Sequence, residues 1–446
     1  MHYFDGIYFF SLHHITTVGM KELLNYIWKN RLLPKTGMHT IQGEELQIIS
    51  YGQQTHETGI FSNATITIGN KELHGEVIMH ESECKDSDAG QRIGSSTVLL
   101  VTGEGCNFAK ECRDTTAILR LRLPDGLEKE FADATQHVHC LPCSDAFENI
   151  DIINRNSYMS RLLIERIEEK ASNILQTFSE SNGLWEETLL KTVIRSFGFG
   201  IQSEVFERWA KILDFNAMGK HRDNRLQIEA IMFGQAGLLE EGSIPHYYRN
   251  EALSCSYFKE ITREYRFLRN KFGLQEIHYS EWSKSNATPH VRIARIAALY
   301  CRENTGISNI MSCNTTNEYY NIIDTTLEGY WSNHTCFGGT ETIGNGSMKQ
   351  RQMDVIIINA IVPILYIYGK HRNDTDTCNK AEEFLHLLKS EENSIIKKWL
   401  DRGITANCAA DSQAILQLEK RYCRMCNCTE CRFAYHYIKE RIAGMS

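Results

Sequence analysis

The chain has 446 residues, of which 42% are hydrophobic and 23% are charged, and its formal net charge is -8. The length exceeds what one ordinary hydrophobic core needs and the composition is that of globular proteins, which favours two or three domains and excludes a largely disordered chain. The negative charge excludes a protein covered in basic surface, so a polyanion would have to bind in a local groove.

The first 19 residues are rich in aromatic side chains but lack the basic start, long apolar core and small-residue cleavage site of a secretory signal. We interpret residues 1–19 as an N-terminal extension. A helix is predicted from Met20, because Leu23, Leu24, Ile27 and Trp28 recur at helical spacing.

From about residue 40 to residue 123 the apolar residues alternate with a period of two, which is typical of strands. The segments are "ELQIIS", "ATITI", "ELHGEVIMH", "STVLLV" and "AILRLRL". Gly69 and Asn70 predict a tight hairpin turn between the second and third segments. Residues 20–150 are therefore predicted to form a small mixed β-sheet domain with the first helix packed on it.

Beyond Asn149 the hydrophobic period changes to 3.6, so residues 151–446 are predicted to form a large all-helical domain and the fold class is α+β. The apolar stretch "DVIIINAIVPILYIY" is too short to span a bilayer and is interrupted by Asn359 and Pro363. We interpret it as a buried helix or strand. The protein is expected in the cytoplasm without a membrane partner, with its 15 Cys mostly reduced.

The segment "RYCRMCNCTEC" contains two C-x-x-C pairs, Cys423 with Cys426 and Cys428 with Cys431. Zinc prefers four sulfur or imidazole ligands in a tetrahedron, and a C-x-x-C turn presents two thiolates to one ion. The spacing predicts a structural zinc site. An iron–sulfur cluster is the alternative, since four cysteines suit both, and small, moderately buried thiols without any metal are the third interpretation.

The blocks "LLNYIWKNRLLP", "KHRDNRLQIEAIMFGQAGLLEE", "PHVRIARIAALY", "GYWSNHTCFG" and "CTECRFAYHYIK" resemble a bacterial family known as a domain of unknown function, over nearly the whole chain from Met20. The resemblance implies no activity. It does imply a division of the cysteines, because Cys423, Cys428 and Cys431 match the family pattern whereas Cys426 is additional.

A fourth ligand is then expected from Cys143, which also matches a family cysteine, with Cys408 and His436 as weaker candidates. With Cys143 as a ligand, the metal would clamp the end of the sheet domain to the C-terminal helices. A site closed by four ligands has no open position for a substrate, so its role would be structural.

The family's sheet domain is similar to PD-(D/E)xK nuclease cores, in which two carboxylates hold a divalent ion that activates water. The family's "GPDF" and "VEIH" segments correspond here to "TGIFSNA" and "GEVIMH", so Ile60 and Ile78 replace the two acidic residues and only His80 matches. Glu76 and His80 share a strand face and are the weak catalytic candidates, although a sheet-edge glutamate and a half-buried histidine are the plainer interpretation. We therefore expect a degenerate nuclease-like domain and no enzyme activity.

Basic side chains cluster in two of the helical blocks, and a further block, near a loop, carries Tyr330, Trp331 and His334. Cations interleaved with aromatic rings are typical of a single-stranded nucleic-acid groove, but a solvated ion-paired face and a buried aromatic core explain them as well. The candidate nucleic-acid-binding residues are Lys220, His221, Arg222, Arg225, Arg292 and Arg295.

Two functions remain open from the sequence. The first is a cytosolic protein that associates with nucleic acid, and the second is a scaffold whose helices bind a protein partner. An active metal-dependent nuclease is the least expected. The sequence contains no Gly-rich phosphate loop, nucleophile elbow or H-E-x-x-H helix, which disfavours a conventional hydrolase or NTPase.

Overall fold

A computed structural model describes residues 18–56, 59–80, 96–103, 116–136, 140–143, 147, 149–200, 202–284, 288–340 and 347–443. The chain forms two compact units. Unit 1 comprises Met1–Tyr158, Asp401–Ile404 and Gln417–Ser446, and unit 2 comprises Met159–Leu400 and Thr405–Leu416. Most of the predicted extension, residues 1–17, lies outside the described residues.

Unit 1 contains a mixed sheet, as predicted. Its strands are β1 Met38–His39, β2 Glu45–Ser50, β3 Gln53–Gln54, β4 Ile60–Ile68, β5 Lys71–His80, β6 Thr97–Thr102 and β7 Ala117–Arg120. The strand order is β1-β2-β4-β5-β6-β7, with β3 also paired to β4. Pairing is antiparallel as far as β5, whereas β5–β6 and β6–β7 are parallel. The predicted turn joins β4 to β5, and Gly69 takes a φ of 54° there.

The first helix of unit 1 buries the apolar side chains that recur at helical spacing in the sequence. Helix α1, Val18–Lys29, buries Leu23, Leu24 and Trp28 completely, which confirms the predicted amphipathic helix. Helix α2, Leu127–Thr135, packs on it, with the rings of Tyr26 and Phe131 5.3 Å apart.

The remaining helices begin with α3, Ile152–Glu180, within which the boundary between the units falls. Those of unit 2 are α4 Trp185–Ser196, α5 Ser203–Ile212, α6 Phe215–Gly219, α7 Arg225–Gln235, α8 Arg249–Ser254, α9 Ser256–Phe272, α10 His290–Cys301, α11 Ile307–Ser312, α12 Thr316–Ile323, α13 Gln350–Arg372, α14 Thr375–Leu387, α15 Ser394–Leu400 and, up to its last residue, α16 Ala409–Gln417. A small hairpin joins β8 His334–Cys336 to β9 Gly339–Thr340. The last helix, α17 Arg432–Ala443, belongs to unit 1.

The apolar stretch in the middle of unit 2 is helix α13, which has 23 residues and a π-helical turn at Ile357–Ile361. Among the described residues it is the one helix long and apolar enough to cross a membrane, and 78% of its most apolar window is buried within the structure. Of the two predicted forms, a buried helix or a buried strand, the helix is observed, and it is longer than the apolar stretch itself. Its wide turn includes Asn359, whose side-chain amide donates to the Val355 carbonyl at 2.9 Å.

The compact units differ from the predicted domains in one respect. The sequence places residues 151–446 in one helical domain, but the C-terminal segment belongs to the same unit as the sheet. Hydrophobic periodicity reports only local structure, so it does not reveal which unit a distant helix joins.

Candidate functional site

The four C-terminal cysteines lie on two successive tight turns in unit 1. A π-helical turn, Leu418–Cys423, ends at the first cysteine, and a 3-10 turn, Cys428–Glu430, starts at the third. Each C-x-x-C pair is closed by a backbone hydrogen bond, from Cys426 N to Cys423 O at 3.3 Å and from Cys431 N to Cys428 O at 3.1 Å. Cys426 has a positive φ of 47°, which reverses the chain between the two turns.

A segment that is distant in sequence joins these turns. The Cys140 thiol lies 2.8 Å from the Cys426 sulfur and donates to the Cys423 carbonyl at 2.5 Å. The Leu141 N–H donates to the Cys428 sulfur at 3.4 Å. Cys143 is an electrostatic neighbour of Cys428 and Cys431, and this places all six thiols in one cluster, which we call the thiol cluster.

Three of the six cysteines in the thiol cluster are buried and the other three are partly buried. Cys426, Cys428 and Cys431 are each less than a tenth exposed, and the Tyr158 hydroxyl donates to the Cys431 sulfur at 3.7 Å. Burial, together with the neighbouring thiols, raises the pKa of Cys140 and of Cys143 to about 12. Without a cation these groups therefore stay protonated, whereas a bound divalent ion reverses that preference.

The geometry of a metal complex is not already formed. Within the described residues, no group of three or more His, Cys, Asp or Glu side chains is arranged to hold a metal ion. With zinc–sulfur bonds of about 2.3 Å, tetrahedral ligands lie roughly 3.8 Å apart. The sulfurs of Cys140 and Cys426, at 2.8 Å, would have to separate by about 1 Å to share one zinc.

The structure thus brings together the five cysteines named from the sequence and adds Cys140. A signal for Cys140 exists in the sequence, because Cys140 and Cys143 form a third C-x-x-C pair in "CLPC". Zinc sites built from two C-x-x-C pairs usually have a long spacer between the pairs. Such a spacer lies between Cys143 and the C-terminal turns. Cys408 lies in unit 2, where its sulfur is 3.5 Å from an Asp411 carboxylate oxygen.

His436 lies on α17 in unit 1, where burial and the neighbouring cations lower its pKa.

The two strand positions that correspond to the acidic residues of nuclease cores hold apolar side chains in this chain. Ile60 of β4 and Ile78 of β5 are directly paired, and Ile78 forms a buried cluster with Leu100 and Ile118. A metal ion would have no oxygen ligand from these two positions.

The two weak catalytic candidates lie along the same strand. The Glu76 carboxylate accepts a hydrogen bond from the Ser96 hydroxyl at 3.0 Å, and half-buried His80 pairs in register with Thr102 of β6.

Three of the candidate nucleic-acid-binding arginines donate to backbone carbonyls inside unit 2. Arg222 donates to the carbonyls of Tyr300 and Arg302, at 2.9 and 2.7 Å, where α10 ends. Arg292 donates to the carbonyls of Phe197 and Gly198, at 3.1 and 3.4 Å, where α4 ends. The guanidinium groups satisfy carbonyls that a helix C-terminus leaves without a partner.

The third of these arginines, Arg295, is buried and donates to the Thr325 carbonyl.

The other three candidates lie at or just before the start of α7. The Lys220 ammonium lies 5.4 Å from the centre of the Phe272 ring, and the His221 ring lies 5.7 Å from it. Arg225 pairs with buried Glu229 at 3.0 Å. These side chains are engaged within unit 2 as well.

The aromatic residues of the "GYWSNHTCFG" block are part of the packing. Trp331 is 1% exposed, stacks on Phe233 at 4.9 Å and donates to the Tyr257 hydroxyl at 2.9 Å. Tyr330 stacks on His334 at 3.7 Å.

The mixed sheet, the helical unit and the thiol cluster define an α+β protein with a candidate thiolate metal centre. A family model described as "Protein of unknown function (DUF2851)" matches residues 21–394, and the chain belongs to this family. The resemblance drawn from the sequence is therefore confirmed, while the C-terminal cysteines lie beyond the matched residues. No curated protein and no solved structure matches the chain.

Proposed function

We propose that this is a non-catalytic cytoplasmic protein in which a thiolate-bound zinc ion fastens the segment around Cys140 to the C-terminal turns of unit 1. The single observation that carries the proposal is the convergence of two parts of the chain, more than 280 positions apart, on one group of thiols. Soft sulfur donors select zinc or an iron–sulfur cluster over calcium or magnesium. Four of the six thiols are enough for one tetrahedral ion.

The role of such an ion is structural. Four thiolates fill its coordination sphere and leave no position for water or substrate. Donation from the Leu141 N–H to the Cys428 sulfur favours the thiolate form, which is the form that binds metal. When zinc is bound, it supplies positive charge that keeps the neighbouring thiolates together.

The test is the metal content of protein purified anaerobically. We expect about one zinc per chain in the wild type. Cys428→Ser should lose most of the metal, whereas Cys378→Ser, a half-buried thiol of unit 2, should retain it. Iron with acid-labile sulfide would instead support the iron–sulfur alternative. Wild-type protein without stoichiometric metal, or an unchanged content in Cys428→Ser, would contradict the proposal.

A second candidate function is association with nucleic acid through a degenerate nuclease-like core. The observation that favours it is the order of elements along unit 1. Helix α1 comes first, the antiparallel strands β2, β4 and β5 follow, and β6 then pairs parallel to β5. The basic residues of unit 2 give it less support, because Arg222, Arg292 and Arg295 already bind carbonyls. Binding of labelled single-stranded DNA after a high-salt wash tests this role, and a protein-interaction scaffold predicts no such binding.

A further inference from the structure

Unit 2 contains a cavity of about 550 Å³ that no sequence motif indicated. Helix α13 lines it with Asp354, Val355 and Ile358, and the loop at residues 389–393 lines it with Glu391 and Glu392. This volume is typical of pockets that hold small organic ligands.

Asp354 is the distinctive group of this cavity. It is 9% exposed, and one carboxylate oxygen accepts a hydrogen bond from the Tyr320 hydroxyl at 2.6 Å. Within the described part of unit 2, the second oxygen has no hydrogen-bond donor and the carboxylate forms no ion pair. Burial raises the pKa of Asp354, and the hydrogen bond from Tyr320 and the charge of Lys389 only partly offset this. Buried carboxylates are normally paired, so the cavity contains an acidic group that needs a partner.

The neighbouring polar groups have partners from the protein itself. Lys170 donates to the Ile358 carbonyl in the π-helical turn at 3.2 Å and to the Gln413 side-chain oxygen at 2.6 Å. Gln413 in turn donates to the Glu391 carboxylate. A π-helical turn is frequent at functional sites, and here it begins three residues after Asp354.

The charges of the cavity wall favour a cation. Two cations, Arg351 and Lys389, and three carboxylates line the cavity. The Arg351 guanidinium is already paired with Glu392 at 2.9 Å, and the Lys389 side chain is exposed. An anionic ligand would meet Asp354 and Glu391, which repel it. Val355 and Ile358 offer an apolar surface next to the carboxylate.

We propose that this cavity binds a small alkylammonium compound, whose ammonium group donates to the second carboxylate oxygen of Asp354 and whose hydrocarbon part packs against Val355 and Ile358. The contact pairs a buried charge in a partly desolvated site, where an ion pair is stronger than at the surface. The site is independent of the thiol cluster, which belongs to unit 1.

The test compares n-hexylamine with 1-hexanol and hexanoate, by ligand-observed NMR on the full-length protein at pH 7. The amine should bind with a Kd on the order of 1 mM, as expected for a ligand of this size. The alcohol and the carboxylate should bind at least roughly tenfold more weakly, because neither supplies a cation. Equal binding of amine and alcohol, or no binding of the amine up to about 20 mM, would overturn the proposal.

Variants locate the site. Asp354→Asn should weaken amine binding at least roughly tenfold while the alcohol is unaffected, since the charge is lost and the shape is kept. Asp376→Asn is the matched control, because it makes the same substitution at an exposed carboxylate of unit 2 that does not line the cavity, and it should leave amine binding within about twofold. Val355→Phe, which places a ring in the apolar part of the cavity next to the carboxylate but retains the carboxylate, should also lose the amine. Unchanged binding in folded Asp354→Asn or Val355→Phe protein would place the ligand elsewhere.

Discussion

Arg292 illustrates how the basic residues of unit 2 are used. Its guanidinium spans the carbonyls of Phe197 and Gly198 and also donates to the Gln202 side chain. A helix C-terminus carries partial negative charge as well as free carbonyls, so a half-buried cation such as Arg292 is favourable there. The sequence shows a cation beside aromatic residues but not the carbonyl that receives it.

Arg292→Ala should destabilise unit 2 by about 2–3 kcal/mol, because it leaves buried carbonyls without a donor. Arg292→Lys should recover only part of this, since one ammonium does not reproduce the planar fork of donors. Urea denaturation measures the free energy of unfolding of each variant. The control is Arg161→Ala, which removes an exposed ion pair with Glu165 and should lower the free energy of unfolding by less than about 0.5 kcal/mol. An equal loss in both alanine variants would refute the capping role of Arg292.

His290 is a buried base surrounded by aromatic rings. Phe337 and Phe233 lie 5.2 and 6.1 Å from its ring, and in the described residues its Nδ1 has no hydrogen-bond partner. Burial lowers its pKa to about 3. The folded state therefore binds a proton less readily than the unfolded state does.

Acid should destabilise unit 2 through this residue. The pKa of His290 in the unfolded state is about 6.5. The contribution of neutral His290 to the free energy of unfolding is therefore constant above that pH, and it is lost as the pH falls from about 6.5 toward 3. Between pH 7 and pH 5 the loss should be about 2 kcal/mol. His290→Phe should unfold in urea with a weaker dependence on pH. The control is His246→Phe, at an exposed position, whose stability should depend on pH as that of the wild type does. Identical pH profiles of stability for His290→Phe and the wild type would exclude His290 as a source of acid sensitivity.

At the scale of elements, the pairing of β5 with β6 depends on a glycine. A Cβ added to Gly75 would lie 2.2 Å from the Ser96 carbonyl oxygen and 2.6 Å from a methyl group of Val98. The Glu76 N–H donates to the same carbonyl at 2.8 Å, so the backbones have no room to separate without losing that bond.

Gly75→Ala should therefore destabilise unit 1 by about 2 kcal/mol or more through overpacking. Gly219→Ala, at the end of α6, is the matched control, because a Cβ there has no neighbour within 4 Å. That change should be neutral or stabilising by up to about 1 kcal/mol. Thermal unfolding followed by circular dichroism measures both, and a Gly75→Ala protein as stable as the wild type would contradict the close approach.

The elements that the sequence predicted well are those with a clear local signal. The buried face of α1, the turn at Gly69 and the strands of the sheet follow from period and turn chemistry. The π-helical turn in α13 did not, because Asn359 and Pro363 indicate an interruption but not its hydrogen-bond pattern. The role of Asp354 depends on residues that only the fold brings near, whereas Cys140 has a local signal in the C-x-x-C pair of "CLPC".

The two compact units should unfold in separable steps. Of the six Trp residues, Trp28 is the one in unit 1, and it provides a local fluorescence signal. If zinc binds to the thiol cluster, a strong chelator should lower the midpoint temperature of the unfolding transition reported by Trp28 by roughly 10 °C or more.

The transition of unit 2 should not move on chelation. Trp28→Phe, which removes the unit 1 signal, identifies the two transitions, and circular dichroism follows both in parallel. A chelator that shifts both transitions equally, or neither, would be incompatible with a metal confined to unit 1.

Unit 1 is also interrupted in the chain, and this affects its synthesis. Residues up to Tyr158 leave the ribosome first, but Gln417 and the cysteines that follow it emerge only after unit 2 has been translated. At about 5–20 residues per second that interval lasts roughly 10–50 s, during which Cys140 and Cys143 are made without their partners. Unit 1 then has all the strands of its sheet but lacks its C-terminal segment, while the helical unit is free to fold. Unit 2 is therefore expected to complete its folding before unit 1, although unit 1 begins first in the chain.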